Sequence, residues 1–148
     1  MTLISHTVTI LGCGDIGQRL AALLPGDTAV VGLRRTPIDH PRIQYRQADV
    51  TDRDSLLRQL PRDSDVIVIT MTPNEYSDAG YQRAYVRTVN NLLQVLQERA
   101  ARDEGRSPRL ILFVSSTSVY GQIDGEWVDE ESATWPEGYS GRRLLEAE

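Results

Sequence analysis

The sequence predicts an α/β fold built on one doubly wound parallel sheet. Three observations predict it. Short apolar runs alternate with helical patterns from end to end. The apolar runs read as strands 1, 4 and 5 lack clean polar–apolar alternation, which is what burial on both faces by crossover helices requires. A chain of 148 residues with no repeat, low-complexity tract or linker suits one domain.

Thr7 to Leu11 reads as the first strand. Ile16, Leu20, Leu23 and Leu24 then recur at helical spacing, and Pro25-Gly26 stops that helix. Residues 29–33 form a second strand and residues 43–48 a weaker third. Leu56, Leu57 and Leu60 mark a short helix, with Asp52 as its cap and Pro61 at its end. Residues 66–71 are a strongly apolar fourth strand. A long helix follows, with Tyr81, Tyr85, Val89, Leu92, Leu93, Leu96 and Ala100 on one face, and Gly105 and Pro108 at its exit. Residues 110–114 are a fifth strand, residues 115–138 read as loop, and a last helix begins near Tyr139. Right-handed crossovers give the strand order 3-2-1-4-5, with the ligand crevice between strands 1 and 4 at their carboxyl ends.

Composition narrows the function. The formal net charge is -5 and no long basic run occurs, which counts against nucleic acid and anionic membrane as partners. The first nine residues lack the basic-then-apolar pattern of a signal peptide, and no apolar run is long enough to cross a bilayer. Cys13 is the single cysteine, so no intrachain disulfide can form, and a cytoplasmic location is expected. All 16 basic residues are arginine. No step can therefore use a lysine side chain.

Gly12-Cys13-Gly14-Asp15-Ile16-Gly17 is a G-x-G-x-x-G run. The pattern gains meaning from its place, after a strand and at the start of a helix. Gly12 permits a tight turn, Gly14 lets the backbone approach a pyrophosphate, and Gly17 lets the helix pack closely on the strand. The helix N-terminus offers N–H groups and a positive dipole end to the anion. This is the phosphate loop of a Rossmann fold, set against the alternative of a glycine-rich turn with no ligand. Cys13 inside it reads as a small filler rather than a reactive thiol.

The end of strand 2 discriminates between dinucleotides. A carboxylate about 20 residues past the glycines would bind an NAD ribose. Gly32-Leu33-Arg34-Arg35 holds no acid there. Two arginines suit the 2′-phosphate of NADP, because a guanidinium matches phosphate geometry. NADP is thus the expected cofactor, with NAD as the alternative.

The run Phe113-Val114-Ser115-Ser116-Thr117-Ser118-Val119-Tyr120-Gly121 resembles the extended short-chain dehydrogenase/reductase family, the NAD-dependent epimerase/dehydratases. In that family an F-V-S-S-x-x-V-Y-G segment ends strand 5 and supplies the active-site serine, which maps to Ser116. Gln47-Ala48-Asp49-Val50-Thr51-Asp52 is similar to the family's stretch after strand 3, and the resemblance puts Asp49 against the adenine. The expected cofactor set is Gly12, Gly14, Asp15, Ile16, Gly17, Arg34, Arg35, Asp49, Val50, Thr70 and Thr72. No metal site is expected, and Asp129, Glu130 and Glu131 read as a solvated acidic loop.

The family's catalytic tyrosine lies on the next helix, usually as Y-x-x-x-K. Tyr139 is the one tyrosine after Tyr120, and Arg143 occupies the lysine position. The chain resembles an atypical subgroup in which a Gly-Arg-rich stretch, here Gly141-Arg142-Arg143, replaces that motif. In the family's N-x-x-G-T-x-N-L-L segment, Val86, Asn91, Leu92 and Leu93 match, while Tyr85 and Thr88 replace the first asparagine and the glycine. Turn capping by Ser116 and plain packing by Tyr139 are the competing readings of those residues.

The resemblance implies a dehydrogenase/reductase-like oxidoreductase or epimerase/dehydratase that takes a small-molecule substrate such as a nucleotide sugar. A homodimer is compatible with it. The chain stops before the smaller C-terminal substrate domain that the family adds. The alternative is a redox-inactive NADP(H) sensor or interaction module, which the missing lysine favours. The isolated chain is expected to bind cofactor without turning substrate over, with Tyr139 mobile on a helix that lacks packing partners.

Overall fold

A computed structural model describes residues 6–148. Residues 1–5, part of the segment that lacks a signal-peptide pattern, lie outside the described residues. The chain divides into two compact units, Met1–Met71 with Asn91–Val114 and Thr72–Asn90 with Ser115–Glu148. No helix among the described residues is long and apolar enough to cross a membrane.

The first unit carries the sheet. Its strands are β1 (Thr7–Leu11), β2 (Ala29–Arg34), β3 (Gln44–Gln47), β4 (Val66–Ile69) and β5 (Leu110–Phe113). They pair in parallel in the order β3-β2-β1-β4-β5, the order the sequence predicts. Ile10 lies at the centre, opposite Gly32 of β2 and Val68 of β4. Every residue of β1 is buried. Val8 and Ile10 join Val30, Ile43 and Val68 in one apolar cluster. Thr9 and Leu11 point to the opposite face, as strand alternation demands.

Helix α1 (Asp15–Leu23) forms where expected, but its buried face differs from the expected stripe. Gly17 and Ala21 are buried, Leu20 and Leu24 pack beside the cluster, and Ile16 and Leu23 are 54% and 84% exposed. Two small residues bring the helix close to the sheet, and this contact sets its rotation. Helix α2 (Arg53–Gln59) is capped by Asp52, whose carboxylate accepts from the Asp54 N–H at 3.1 Å.

The long helix is continuous but irregular. It runs through α3 (Asp78–Tyr81), a π-helical stretch (Gln82–Arg87) and α4 (Thr88–Ala101). Its expected apolar stripe is corrected by the structure. Leu93 and Ala100 are exposed, whereas Thr88, Asn91 and Arg99 are buried along with Leu92 and Val95. Asn91 and Arg99 go inside because they satisfy backbone carbonyls: Asn91 Nδ2 donates to Val50 O at 3.2 Å, and Arg99 donates to Leu57, Leu60 and Pro61. The expectation that strand 5 is buried on both faces also fails. β5 is the edge strand, and Leu110 and Leu112 are each 47% exposed.

Asp65 ties the entry of β4 to the entry of β1. Its carboxylate accepts from the Thr7 N–H at 2.9 Å and pairs with Arg106 at 2.8 Å. That N–H, and then the nearby Arg106, His6 and Arg109, hold the carboxyl below its ordinary range against the cost of burial. A carboxyl whose pKa is lower folded than unfolded contributes fully above the unfolded value of about 4, and the contribution is lost as pH falls toward the folded value. We expect Asp65→Asn to destabilise the chain at neutral pH and the deficit to shrink in acid. Urea midpoints from about pH 7 down to about pH 3 measure this, and a deficit independent of pH would contradict it.

The second unit holds α3, the π-helical stretch, a 3₁₀ turn (Thr117–Val119) and α5 (Tyr139–Ala147). The α5 helix buries Gly141, Leu144 and Ala147. The remainder of residues 115–138 is irregular, as expected.

Candidate functional site

In the first unit, the geometry gives each loop glycine a separate reason. Gly12 has a φ of +73°, and a Cβ there would sit 2.5 Å from Met71 Sδ. Only glycine takes this turn without strain. The Gly12 and Cys13 N–H groups both donate to Leu33 O, at 3.0 and 3.1 Å, which fastens the loop to the end of β2. A Cβ on Gly17 would lie 2.7 Å from Cys13 Sγ and 3.0 Å from Ile10 Cγ2, so this glycine allows α1 to approach β1.

Gly14 is different. A Cβ there would meet only Gly12 O, at 3.9 Å, so the chain itself leaves the space open. Gly14 also caps α1 with no side-chain hydrogen bond. The N–H groups of Asp15, Ile16 and Gly17, in the first turn of α1, lack intrahelical acceptors, which is the chemistry an anion uses. Asp15 pairs with Arg19 at 2.9 Å one turn along. Cys13 is wholly buried, with its thiol 3.6 Å from the Tyr45 hydroxyl, and burial pushes its pKa up. A buried, protonated thiol is a filler, in line with the sequence reading.

The end of β2 carries Arg34 directly after the carbonyl that holds the glycine turn. Its guanidinium lies 5.8 Å from the centre of the Tyr45 ring. Sequence reasoning missed Tyr45, whose ring also passes over Gly32, where a Cβ would come within 2.8 Å of it. Arg35 is exposed. After β3, Asp49 Oδ1 accepts from the Thr51 N–H at 2.9 Å and the Thr51 hydroxyl at 2.6 Å, which fixes that turn. Val50 is buried, and Thr70 is turned inward: its hydroxyl lies 3.1 Å from Gly12 O and 3.3 Å from Leu11 O. Thr70 thus braces the loop from behind.

The second unit gathers the residues of the serine and tyrosine motifs. Ser116 caps the 3₁₀ turn by accepting from the Ser118 N–H at 3.2 Å. Gly141 lets α5 lie against that turn, since a Cβ there would be 2.0 Å from Ser118 O. Tyr139 opens α5. Its ring stands edge-on to Tyr81 at 5.5 Å, and its hydroxyl donates to Tyr76 O at 2.9 Å. The expectation of a helix without packing partners is therefore corrected: α5 finds them within this unit. Exposed Thr72 lies in the same unit.

Arg143 is spoken for. Its Nε and Nη2 donate to the two oxygens of Asp78 at 2.8 and 2.9 Å, and its Nη1 donates to Glu146 at 2.7 Å. The guanidinium in turn holds the Asp78 carboxyl below its usual range. The sequence carried no signal for this fork, because its two halves are 65 residues apart. In the replaced motif, Gly141 allows close packing and Arg143 anchors α5 to α3.

The model of the NAD dependent epimerase/dehydratase family matches residues 8–140. A comparison with curated proteins finds no match. Among solved structures, a protein assigned to the NAD-dependent epimerases/dehydratases from Methylobacillus flagellatus is 32% identical, with a TM-score of 0.70, over 98% of this chain and 49% of that one. The UDP-Glc/GlcNAc 4-epimerase of Campylobacter jejuni shares 19% identity, with a TM-score of 0.76, over 97% of this chain and 47% of its own. A uronate dehydrogenase variant from Agrobacterium tumefaciens, complexed with NAD, shares 19% identity, with a TM-score of 0.71, over 97% and 53%. The chain spans about half the length of these structures. The matched stretch begins in β1, ahead of the glycine loop, and ends inside α5, one residue past Tyr139. This chain belongs to the NAD dependent epimerase/dehydratase family.

Proposed function

We propose that this chain is the NADP(H)-binding part of an oxidoreductase or epimerase that acts on a hydroxyl or carbonyl carbon, with a nucleotide sugar as the substrate class. The observation that carries the reading is the open position at Gly14 above an uncapped helix start. The N–H groups of Asp15, Ile16 and Gly17 bind the pyrophosphate. Arg34 and Arg35 take the 2′-phosphate, and Asp49 and Val50 flank the adenine. The nicotinamide supplies hydride transfer when bound. Ser116 donates a hydrogen bond to the substrate oxygen while keeping its proton, and Tyr139 exchanges a proton with that oxygen after leaving Tyr76 O. Arg143 acts as a positioning residue, holding α5 on α3 through Asp78.

One observation favours a second reading, a redox-inactive binding module. Three donors of Arg143 are committed to Asp78 and Glu146, which removes the cation that would otherwise assist Tyr139. Hydride transfer by the 148-residue chain, assayed with sugar nucleotides and small carbonyl compounds, puts the second reading at risk. We expect cofactor binding without turnover. Robust turnover that disappears in Tyr139→Phe would show a complete site and rule out the second reading.

A further inference from the structure

A cavity in the sheet-bearing unit has no part in the proposed function. It has a volume of about 570 Å³ and is lined by the end of α2, the turn that enters β4, and the end of α4. It lies where the chain enters β4, at the amino ends of the strands, whereas the glycine loop leaves β1 at its carboxyl end. Five arginines line it, Arg46, Arg58, Arg62, Arg99 and Arg102, against two carboxylates, Asp63 and Glu104. That excess of positive charge stands in a chain of net charge -5.

The arginines differ in what they already do. Arg46 donates to Gln59 O at 3.0 Å, and Arg99 donates to Leu57 O, Leu60 O and Pro61 O at 2.7, 2.8 and 3.1 Å. These hydrogen bonds close the carboxyl end of α2, where helical carbonyls lack partners. Capping explains those two side chains. It does not require the exposed Arg58 and Arg62 to line the same cavity. Arg62 reaches Glu104 only at 3.6 Å, while Arg102 turns to Glu98 at 2.9 Å.

Arg99 is the unusual member. It is 7% exposed and forms no ion pair within 4.0 Å among the described residues. A buried cation without a counter-charge is costly. Burial and the Arg62 charge both work against its protonated form, and Glu104 offsets them only in part. The carbonyls at the end of α2 meet the Arg99 donors without a full counter-charge; an anion in the cavity would supply one, and paired guanidinium forks favour phosphate oxygens.

We propose that this arginine-lined cavity is a second anion site, separate from the glycine loop, that takes a small ligand bearing two or more phosphate groups. Arg58 and Arg62 clamp the ligand from the rim and Arg99 supplies buried charge beneath it. The site does not depend on the dinucleotide reading.

The test is a titration of the chain with inorganic pyrophosphate, followed by amide chemical shifts. We expect saturable shifts in residues 57–63 and 99–104. In Arg58→Glu/Arg62→Glu, both at exposed positions, affinity should fall at least about tenfold, or roughly 1.4 kcal/mol, in a chain that a thermal melt shows to be folded. Absence of saturable shifts in those residues, or shifts that persist in the double variant, would overturn the proposal. Shifts confined to residues 12–18 would also overturn it, while leaving the glycine-loop reading intact.

Discussion

Gly14→Val will abolish dinucleotide binding in a chain that still folds. The fold tolerates the change because a Cβ at Gly14 meets only Gly12 O, at 3.9 Å. In the proposed function, the same side chain would stand where the pyrophosphate approaches the backbone. Each charge-assisted hydrogen bond that the phosphate can no longer make there weakens binding by roughly 1.5–3 kcal/mol. Two such bonds together correspond to at least about a hundredfold in affinity. Gly17 provides the contrast. A side chain at Gly17 would drive into Cys13 and Ile10, so Gly17→Val should lose stability as well, by roughly 1–3 kcal/mol or more. Calorimetry beside thermal melts distinguishes the two variants. Unchanged affinity in a folded Gly14→Val chain would remove the phosphate loop from the account.

Arg34→Ala/Arg35→Ala will weaken NADP(H) far more than NAD(H). The two cofactors differ by the 2′-phosphate, and the end of β2 offers it two guanidinium groups and no carboxylate. Arg34 stands next to the Leu33 carbonyl that fastens the glycine loop, which in the proposed function puts it near the adenosine end of the dinucleotide. Its place over the Tyr45 ring restricts the guanidinium further. At roughly 1.5–3 kcal/mol per charge-assisted hydrogen bond, removing both side chains should reduce NADP(H) affinity by about two orders of magnitude or more. NAD(H) affinity should change little. Equal weakening of both cofactors, or tighter binding of NAD(H) by the unaltered chain, would overturn the assignment.

The sheet was legible because its signal is local. Unalternating apolar runs at β1 and β4, separated by helical spacing, leave few topologies once crossovers are right-handed. The glycine loop was legible for the same reason: strand, turn and helix start lie within about a dozen residues. Helix faces were harder to read. Apolar spacing put Leu93 and Ala100 inside, but Asn91 and Arg99 are buried because distant backbone carbonyls need donors. On α1 the small residues Gly17 and Ala21 set the packing distance, and the larger Ile16 and Leu23 turn outward. A hydrophobicity count cannot weigh close approach against side-chain size.

The tyrosine motif was the least legible part of the candidate site. Sequence spacing located Tyr139 and the arginine at the lysine position, but not the partners of either. Asp78, which grips Arg143, and Tyr76, whose carbonyl holds the Tyr139 hydroxyl, come from a segment more than 60 residues away. Nothing in the intervening sequence links them. The Gly141-Arg142-Arg143 stretch reads as a missing motif in the sequence. In the fold, Gly141 admits the Ser118 carbonyl and Arg143 ties α5 to α3.

The central claim is that this chain holds a nicotinamide dinucleotide on the glycine loop and prefers the phosphorylated form. Calorimetric titration of the unaltered chain with NADPH and with NADH tests it directly. We expect saturable binding of one NADPH per chain, tighter than NADH by at least about tenfold, the value of one charge-assisted hydrogen bond to phosphate. Failure of both dinucleotides to bind a folded chain would contradict it.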